Sequence, residues 1–409
     1  MATIRPFKAL RPAPVKAAAV AAPPYDVLNS AEAAMQAANN PDSFLHITKS
    51  EIDLPGITDI HTAEVYEKAK SNLAGFIGRG VLIREEKPCY YIYELVMNGR
   101  TQTGLVAVSS IDDYEKDIIR KHEFTRPEKE QDRINHIRTS GAQTGNVFLA
   151  YRDVPAINSL IDEWKEKTPV YDFTAADGIS HRIWIINDEV AIEHISDLFT
   201  SQVPFTYIAD GHHRAASAAK VRRSLEPGYN DNANYFLTTL FPANQLHIMD
   251  YNRVVKDLNG HTEAELIRAL YDDFEVERMP AAFSPTHFHD FGMYLGGHWY
   301  KLTAKEGSYS TDPIGVLDVT ILSEKVLDKL LGIKDQRTDK RIDFVGGIRG
   351  LHELEKRVDS GEMKLAFSLH PVSIQQLFDI ADSGNVMPPK STWFEPKLRD
   401  GLLTHLIYE

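Results

Sequence analysis

The spacing of apolar residues predicts helices in the first part of the chain. Between residues 62 and 78, apolar side chains recur at intervals of three to four positions and form one stripe: Val65, Ala69, Leu73 and Phe76. This spacing is typical of a helix that packs one face on a core. Residues 31–38 are rich in alanine, and Asn29 or Ser30 can cap a helix there. We therefore predict helices over both stretches.

Apolar runs bounded by turn residues predict strands further along the chain. Cys89–Met97 and Gln102–Val108 flank Asn98-Gly99, a dipeptide that strongly favours a β-hairpin. Other strand-like runs cover residues 147–151, 181–186, 205–209, 234–240 and 246–255. Helical and strand-like stretches do not alternate regularly, which argues against a doubly wound sheet. We predict an α+β fold with mixed sheets.

The chain is long enough for more than one domain. It has 409 residues, whereas a single hydrophobic core rarely grows beyond about 250–300 residues. We expect an N-terminal α+β domain over residues 1–110, a middle domain over 111–258 and a C-terminal α+β domain over 259–409. The sequence contains no repeat of solenoid length and no long low-complexity tract.

Charge and cysteine content exclude several classes of protein. The chain has 45 Lys and Arg residues against 58 Asp and Glu residues, which gives a net charge of −13. This balance argues against nucleic acid or an anionic membrane as a partner, because both attract a positive surface. Cys89 is the only cysteine, so the chain can form neither an internal disulfide nor a zinc cluster of cysteines. No stretch approaches the roughly 20 apolar residues of a membrane span, and we expect a cytoplasmic protein.

The strongest candidate for chemistry is the segment Asp210-Gly211-His212-His213-Arg214, here called the DGHHR loop. It joins a strand-like run to an alanine-rich stretch that we predict as a helix. Free N–H groups and the dipole at a helix start favour anions, and Arg214 can bind phosphate through two N–H groups. The alternative is a structural turn in which Asp210 caps the helix. Three cation-capable residues directly after a glycine favour the anion site.

A second cluster of charged residues precedes this loop. The first part contains His122-Glu123, and the remainder reads as a helix on which positions four apart share a face. A solvated charged helix explains that remainder but not the His-Glu pair before it. Glu123 is our candidate for a general base. The candidate substrate-binding residues are His122, Thr125, Lys129 and Arg133.

A third candidate is the segment Pro388–Thr392, here called the PPKST segment. Prolines stiffen it, and it offers phosphate donors together with a nearby lysine: Lys390, Ser391, Thr392 and Lys397. A structural clasp anchored by Trp393 and Phe394 explains the same residues equally well.

The DGHHR loop resembles the signature of the ParB/sulfiredoxin-like free-serine kinases. In those enzymes an Asp-Gly-His-His-Arg loop opens a helix and holds the transferred phosphate, and an upstream His-Glu pair supplies the catalytic base. His122-Glu123 is similar to that pair. The interval between the two motifs is longer here, which implies an insertion. The resemblance implies a ParB/sulfiredoxin-like phosphate-binding core within residues 111–258.

The whole chain also resembles a bacterial family of unknown-function proteins of similar length. The matching stretches lie near both termini: Arg5–Pro12, Ala22–Val27, Asn40–His46 and Met387–Thr392. Related proteins are thought to include pyrophosphate-dependent serine kinases. The resemblance therefore implies pyrophosphate or ADP, rather than ATP, as the phosphoryl donor.

Together these observations predict a kinase that transfers a phosphoryl group from pyrophosphate, ADP or ATP to the hydroxyl of free L-serine, giving O-phosphoserine. In this hypothesis Glu123 and Asp210 are catalytic, and Asp210 also holds Mg²⁺. The predicted phosphate-binding residues are Gly211, His212, His213, Arg214, Lys390, Ser391 and Thr392. No Walker phosphate loop, Gly-x-x-x-x-Gly-Lys-Ser/Thr, occurs in the chain.

Three other functions fit parts of the sequence. They are a ParB-like nucleotide-binding regulator, a metal-dependent phosphohydrolase and a non-catalytic sensor of a phosphorylated metabolite. The regulator requires a basic recognition helix, and none is evident against the net charge of −13. The phosphohydrolase differs from the kinase in using water in place of serine. We expect the protein to bind small molecules and neither nucleic acid nor a membrane. The sequence leaves open whether the protein forms a homodimer.

Overall fold

The computed structural model describes residues 1–226 and 228–408. Contacts within the chain divide it into two compact units. Unit 1 consists of Met1–Lys121, Thr125–Leu246 and Pro396–Glu409, and unit 2 of His122–Phe124 and His247–Glu395. The domain boundaries near residues 110 and 258 stay predictions.

The strands are numbered in chain order across both units. Those in unit 1 are β1 (Ile4–Arg5), β2 (Leu10–Pro12), β3 (Leu82–Arg84), β4 (Tyr90–Met97), β5 (Arg100–Ser110), β6 (Ile119–Arg120), β7 (Ala142–Gln143), β8 (Val147–Tyr151), β9 (Tyr171–Thr174), β10 (Ser180–Ile186), β11 (Thr206–Asp210), β12 (Tyr235–Pro242) and β21 (His405–Leu406). Those in unit 2 are β13 (Ile248–Met249), β14 (Tyr251–Val255), β15 (Phe274–Met279), β16 (Asp290–Leu295), β17 (His298–Ala304), β18 (Ile342–Gly346), β19 (Leu365–Leu369) and β20 (Trp393–Phe394).

The α-helices follow the same numbering. Those in unit 1 are α1 (Ala17–Val20), α2 (Ser30–Ala37), α3 (Leu45–Thr48), α4 (Ala63–Gly78), α5 (Ile111–Glu115), α6 (Pro127–Ser140), α7 (Pro155–Lys165), α8 (Glu189–Gln202) and α9 (His212–Arg223). Those in unit 2 are α10 (Glu263–Leu270), α11 (Asp318–Leu322), α12 (Gly350–Asp359) and α13 (Ile374–Asp382). Short 3₁₀ segments occur at Pro14–Lys16, Ser50–Asp53, Asp231–Asn234, Ala243–Gln245 and Gly347–Arg349, and a π-helical segment at Ser323–Asp328.

The main sheet of unit 1 is mixed. Its strand order is β6-β11-β8-β12-β5-β4-β10-β9, with β1 beside β5. The pairs β6–β11 and β8–β12 are parallel, whereas the neighbouring pairs β8–β11, β5–β12 and β4–β5 are antiparallel. The predicted α+β class with mixed sheets is confirmed.

Three local sequence patterns correspond to the elements that they predict. Asn98 and Gly99 both have positive φ angles, of 53° and 76°, as the tight turn of the β4–β5 hairpin requires. The Asn29 side chain accepts a hydrogen bond from the Glu32 N–H, and the Glu32 side chain accepts one from the Asn29 N–H. This capping box starts α2 at the predicted place. In α4 the predicted apolar stripe is buried.

Helix α9 packs on the main sheet through small side chains. Ala215, Ala218 and Ala219 belong to the hydrophobic core of unit 1 together with residues of β4, β5, β8 and β12. Its other side contacts α6, where the Ser217 hydroxyl donates a hydrogen bond of 3.1 Å to the Glu130 carbonyl. This packing fixes the start of α9, and with it the DGHHR loop, at one end of β11.

Unit 2 is built around an antiparallel sheet with strand order β15-β17-β16-β19-β14-β18. A smaller core includes Val254, Tyr294 and Leu354, which places α12 on this sheet. Strands β13 and β20 form a separate two-stranded sheet. Because β20 directly follows the PPKST segment, this pairing anchors the end of that segment to β13. In neither unit do the described residues include a helix long and apolar enough to cross a membrane.

Candidate functional site

The backbone of the DGHHR loop depends on glycine. Strand β11 ends at Asp210 after an irregularity in its pairing with β8, and Gly211 follows with φ 98° and ψ 27°. A Cβ at Gly211 would lie 3.3 Å from the Val147 Cα. Both the left-handed conformation and the close backbone therefore disfavour any other residue. The predicted strand–glycine–helix arrangement is present.

Replacing Gly211 with alanine should destabilise unit 1. The left-handed conformation costs a residue with a Cβ about 1–2 kcal/mol, and the contact with the Val147 backbone adds to that cost. Gly178→Ala is the matched control, because Gly178 has φ 81° and a Cβ there would meet no described atom within 4 Å. Urea unfolding should show a larger loss of free energy of unfolding for Gly211→Ala than for Gly178→Ala. Equal losses would contradict the tight packing of the loop.

Asp210 pairs with a lysine and is not the N-cap residue of α9. Lys397 Nζ lies 3.1 Å from the Asp210 Oδ2. Burial favours the neutral carboxyl, but Lys397 and Arg214 outweigh it and hold the pKa of Asp210 below its ordinary value. The residue at the N-cap position of α9 is Gly211, which has no side chain to cap the helix. Asp210 is thus an ionised partner of Lys397, and the alternative in which it caps the helix is wrong.

The two histidines of the loop have different surroundings. His212, the first residue of α9, is buried. His213 is half-buried, and its Nε2 accepts a hydrogen bond of 3.0 Å from the Arg126 N–H. Because Nε2 accepts, a neutral ring carries its proton on Nδ1. This bond joins the DGHHR loop to the residue before α6.

Arg214 is buried and surrounded by acceptors. Its Nη1 donates to the Asn146 carbonyl, and its Nη2 lies 3.3 Å from an Asp26 carboxylate oxygen. Burial alone would lower the pKa of Arg214, but the surrounding carboxylates, led by Asp26, raise it above its ordinary value. Among the described residues, no atom accepts a hydrogen bond from its Nε. Arg214 is therefore a fixed, charged donor with one N–H available.

Arg133 lies near Arg214, and the guanidinium groups of both residues are close to the Tyr25 ring. The Arg133 guanidinium carbon is 3.9 Å from the centre of the Tyr25 ring, and that of Arg214 is 5.9 Å from it. Arg133 donates two hydrogen bonds, of 3.0 and 2.8 Å, to the Asp132 carboxylate. Burial raises the pKa of Tyr25 to about 12. The two cationic segments recognised in the sequence thus meet at Tyr25.

Asp400 comes from the C-terminal part of unit 1 and is only 2% exposed. Its backbone exchanges two hydrogen bonds with Ala22, just before Tyr25 in the chain. Burial raises the pKa of Asp400 to about 7, although Arg214 opposes this shift. Among the described residues, no partner donates to its Oδ2. Asp400 can therefore gain or lose a proton near neutral pH.

Asp400→Asn should make stability less dependent on pH. An aspartate in an unfolded chain has a pKa of about 3.9, whereas the folded value is about 7. Between these values the folded chain binds more protons than the unfolded chain, so this group lowers the free energy of unfolding as pH rises. Urea unfolding at about pH 5 and about pH 7 should show a smaller decrease in the free energy of unfolding for Asp400→Asn than for the wild type. Asp197→Asn is the control, because Asp197 is exposed. If the free energy of unfolding of Asp400→Asn decreased as much as that of the wild type, the burial of Asp400 would be contradicted.

The other predicted substrate-binding residues of unit 1 are Thr125 and Lys129. Lys129 is exposed on α6. The Thr125 hydroxyl donates to the Glu130 carboxylate, which also pairs with Lys220. These contacts hold the start of α6 against α9.

His122 and Glu123 belong to unit 2. The Met387 N–H donates a hydrogen bond of 2.8 Å to the His122 carbonyl, so this segment lies beside the chain that leads into the PPKST segment. His122 is buried and Glu123 is half-buried. The structure thus joins two of the three segments that the sequence singled out.

The PPKST segment is held from within unit 2. The Ser391 hydroxyl donates a hydrogen bond of 2.6 Å to the Pro388 carbonyl, which makes this hydroxyl a support of the turn. Lys390 is exposed, has φ 59° and accepts a hydrogen bond of 3.0 Å from Arg253 at its carbonyl. Thr392 is half-buried.

Sequence reasoning missed two residues that contact Arg214 or lie beside it, Asn146 and Asp400. Asn146 contributes a backbone carbonyl, and because every residue has one, the sequence does not indicate which carbonyl will contact Arg214. Asp400 lies 186 positions from Arg214 in the chain, and an isolated aspartate carries no motif. Lys397 stood out only as a phosphate donor, and its pairing with Asp210 was not foreseen.

Comparison with known proteins supplies the family. Residues 4–320 match the family described as "Protein of unknown function (DUF1015)". The chain belongs to this family. The resemblance to a family of unknown function is thus confirmed, and no curated protein matches the chain.

Similar solved structures include three of different description. A free serine kinase in complex with AMP is 15% identical, with a TM-score of 0.38, over 73% of this chain and 91% of that chain. A conserved hypothetical protein from Pyrococcus furiosus is 14% identical, with a TM-score of 0.36, over 73% and 94%. C-terminally truncated SbnI from Staphylococcus aureus is 11% identical, with a TM-score of 0.38, over 74% and 87%. At these TM-scores we draw no argument about function from the likeness.

Proposed function

We propose that this protein is a small-molecule phosphotransferase that moves a phosphoryl group from pyrophosphate, ADP or ATP to the hydroxyl of free L-serine. The observation that carries the proposal is the start of α9 directly after Gly211, where no described residue accepts a hydrogen bond from the Nε of the buried Arg214 guanidinium. A helix start and a fixed guanidinium are both suited to phosphate. Phosphoryl transfer requires chiefly positioning and neutralisation of charge, which such groups supply.

The DGHHR loop would bind the donor phosphates. The N–H groups at the start of α9 and the side chains of His212, His213 and Arg214 are the donors in this proposal. The Asp210–Lys397 pair keeps a positive group at the end of β11. These roles agree with the resemblance of the loop to the free-serine kinases, in which the same residue types hold the transferred phosphate.

Mg²⁺ fits this loop only together with phosphate. One Asp210 carboxylate oxygen already pairs with Lys397, and Arg214 adds positive charge nearby. A lone carboxylate among cations gives Mg²⁺ too few ligands, whereas phosphate oxygens and water complete the six that it prefers. Asp210 would therefore contribute one ligand to an ion that the donor phosphates bring, and that ion would neutralise charge on the phosphates.

Glu123, Lys390 and Thr392 have the remaining roles in the proposal. Glu123 is the general base that the resemblance implies. Lys390 and Thr392 would contact an anion, since Lys390 is exposed. The Ser391 hydroxyl supports the turn that presents them, as its bond to Pro388 indicates.

Consumption of the donor with and without L-serine tests this proposal against its nearest rival. The protein is incubated with Mg²⁺ and pyrophosphate, ADP or ATP, and the loss of the donor is measured, because transfer to serine leaves phosphate from pyrophosphate but AMP or ADP from the nucleotides. A kinase consumes the donor only when L-serine is present. Equal consumption without L-serine would contradict the proposal and favour a metal-dependent phosphohydrolase.

A further inference from the structure

Arg253 is a buried arginine of unit 2 that contacts no described carboxylate. It lies in β14 and is 0% exposed. Its Nη1 donates a hydrogen bond to the Tyr251 carbonyl, and its Nη2 donates to the carbonyls of Lys390, at 3.0 Å, and Pro389, at 3.4 Å. A buried arginine is usually paired with an acid, because taking an isolated charge out of water is costly. Arg253 instead contacts backbone carbonyls, and two of these belong to the PPKST segment.

The Arg253 guanidinium stays charged at neutral pH. Burial lowers the pKa of Arg253 to about 10, and the nearby Tyr251 opposes this shift. The group is therefore protonated near pH 7. Its bonds to the PPKST segment are charge-assisted, and such bonds are stronger than those between neutral groups.

These bonds hold an unfavourable backbone conformation. Lys390 has φ 59°, a left-handed conformation that crowds the Cβ of any residue except glycine. Arg253 fixes the Lys390 carbonyl, and the Ser391 hydroxyl fixes the Pro388 carbonyl at 2.6 Å. A planar guanidinium presents its donors in a fixed fork, whereas a lysine ammonium is a single point charge. The turn of the PPKST segment is thus supported from β14 as well as from within.

This turn sets the position of the Lys390 side chain. The Lys390 Nζ lies 5.6 Å from the centre of the Tyr251 ring, within the range of a cation–π contact. The ring is held by edge-to-face contacts with Trp393 and Phe344, at centroid distances of 5.0 and 5.9 Å. Lys390 is exposed, and no described carboxylate pairs with its ammonium group. Its charge is therefore available to an anion from solution.

We propose that Arg253 is a positioning residue for Lys390: it holds the carbonyls of Pro389 and Lys390, so that the Lys390 ammonium group stays over the Tyr251 ring and pairs with a phosphate group of the donor. Arg253 itself is sealed from solvent and touches no substrate. The inference deepens the proposed function, and it rests on that function only for the identity of the anion as the phosphoryl donor.

Trypsin digestion of the full chain tests whether Arg253 holds the segment. Trypsin cleaves after lysine where the backbone opens locally, so the rate of cleavage between Lys390 and Ser391 reports on the turn. Arg253→Met removes the charge-assisted bonds, and it should raise that rate at least about tenfold. Arg253→Lys should raise it less, because an ammonium group replaces only part of the fork. Mass spectrometry identifies the cleaved bond.

Arg268→Met is the matched control, because Arg268 is exposed on α10 of the same unit. It removes the same charge and should leave cleavage after Lys390 within about twofold of the wild type. Unchanged cleavage in folded Arg253→Met would overturn the inference. If Arg253→Met does not fold, Arg253→Lys takes its place in both experiments, and unchanged cleavage there would overturn the inference in the same way.

Binding of pyrophosphate tests whether Arg253 acts through Lys390. Isothermal titration calorimetry compares the wild type, Arg253→Met, Lys390→Met and the double variant. Each single variant should bind pyrophosphate about tenfold more weakly, because one charge-assisted contact with the anion is lost. The double variant should match Lys390→Met to within about twofold, because residues that act through one contact are not additive.

The outcomes of this cycle separate the inference from the kinase activity. Losses that multiply in the double variant, or wild-type affinity in Arg253→Met, would overturn the positioning role. Failure of the wild type to bind pyrophosphate would overturn it as well, because Lys390 would then have no anion to contact. Pyrophosphate binding with the expected coupling but without turnover would contradict the kinase activity and leave the positioning role in place.

Discussion

Arg214→Lys should lower kcat/KM for phosphorylation of L-serine by about 100- to 1,000-fold. The guanidinium contacts the Asn146 carbonyl and Asp26 and still has its Nε available. A lysine ammonium is a single point charge and cannot keep two anchors while donating to a ligand. Steady-state kinetics with saturating donor and varied L-serine measure this effect, and circular dichroism confirms that the variant is folded.

Arg223→Lys is the matched control for that change. Arg223 ends the same helix, its side chain is 66% exposed, and its Nε lies 2.8 Å from a Glu115 oxygen. Exposed ion pairs of this kind contribute about 0–1 kcal/mol, so Arg223→Lys should keep kcat/KM within about threefold of the wild type. If folded Arg214→Lys were as active as this control, Arg214 would have no part in binding or catalysis.

Glu123→Gln should lower kcat by about 100- to 10,000-fold while pyrophosphate still binds. Glutamine keeps the shape of glutamate and cannot accept the proton of the serine hydroxyl. Turnover and pyrophosphate binding are measured on the same preparation, by product formation and by calorimetry. Loss of turnover with retained pyrophosphate binding would show a catalytic role, because unfolding would abolish both turnover and binding.

Glu128→Gln provides the comparison. Glu128 is an exposed residue in the first turn of α6, five positions along the chain. Its replacement should change kcat by no more than about twofold, because an exposed carboxylate near a helix start contributes only a few tenths of a kcal/mol. Wild-type turnover in Glu123→Gln would remove Glu123 from the mechanism and leave the role of the DGHHR loop untouched.

Local signals made much of the fold predictable. The hairpin at Asn98-Gly99, the capping box at Asn29 and the apolar stripe of α4 each depend on residues a few positions apart. The start of α9 was predictable for the same reason, because the apolar strand, the glycine with positive φ and the alanine-rich helix are contiguous in the sequence. In each case the residues that form the pattern lie close together in the sequence.

Pairings over long distances were not predictable from the pattern. Strand β8 lies between β11 and β12, and it is antiparallel to one and parallel to the other. Alternation of apolar residues indicates a strand but not its neighbours. The sheet order is decided by burial of the whole core, which no local segment encodes.

The same distinction applies to the candidate site. The DGHHR loop was recognisable as a contiguous motif, and Arg133 as a member of a charged helix. Their surroundings depend on residues far along the chain, since Asp26 lies 188 positions from Arg214 and Lys397 lies 187 positions from Asp210. Lys129 and Thr125 looked equivalent to Arg133 in sequence, but only Arg133 lies on the buried side of α6 against Tyr25.

Phosphorus NMR can follow transfer to L-serine itself. The purified protein is incubated with Mg²⁺, L-serine and each of pyrophosphate, ADP and ATP, and the spectrum is compared with that of authentic O-phosphoserine. We expect the O-phosphoserine signal to grow with at least one donor and to require both L-serine and protein. Absence of that signal with every donor, from protein shown to be folded, would contradict the assignment as a free-serine kinase.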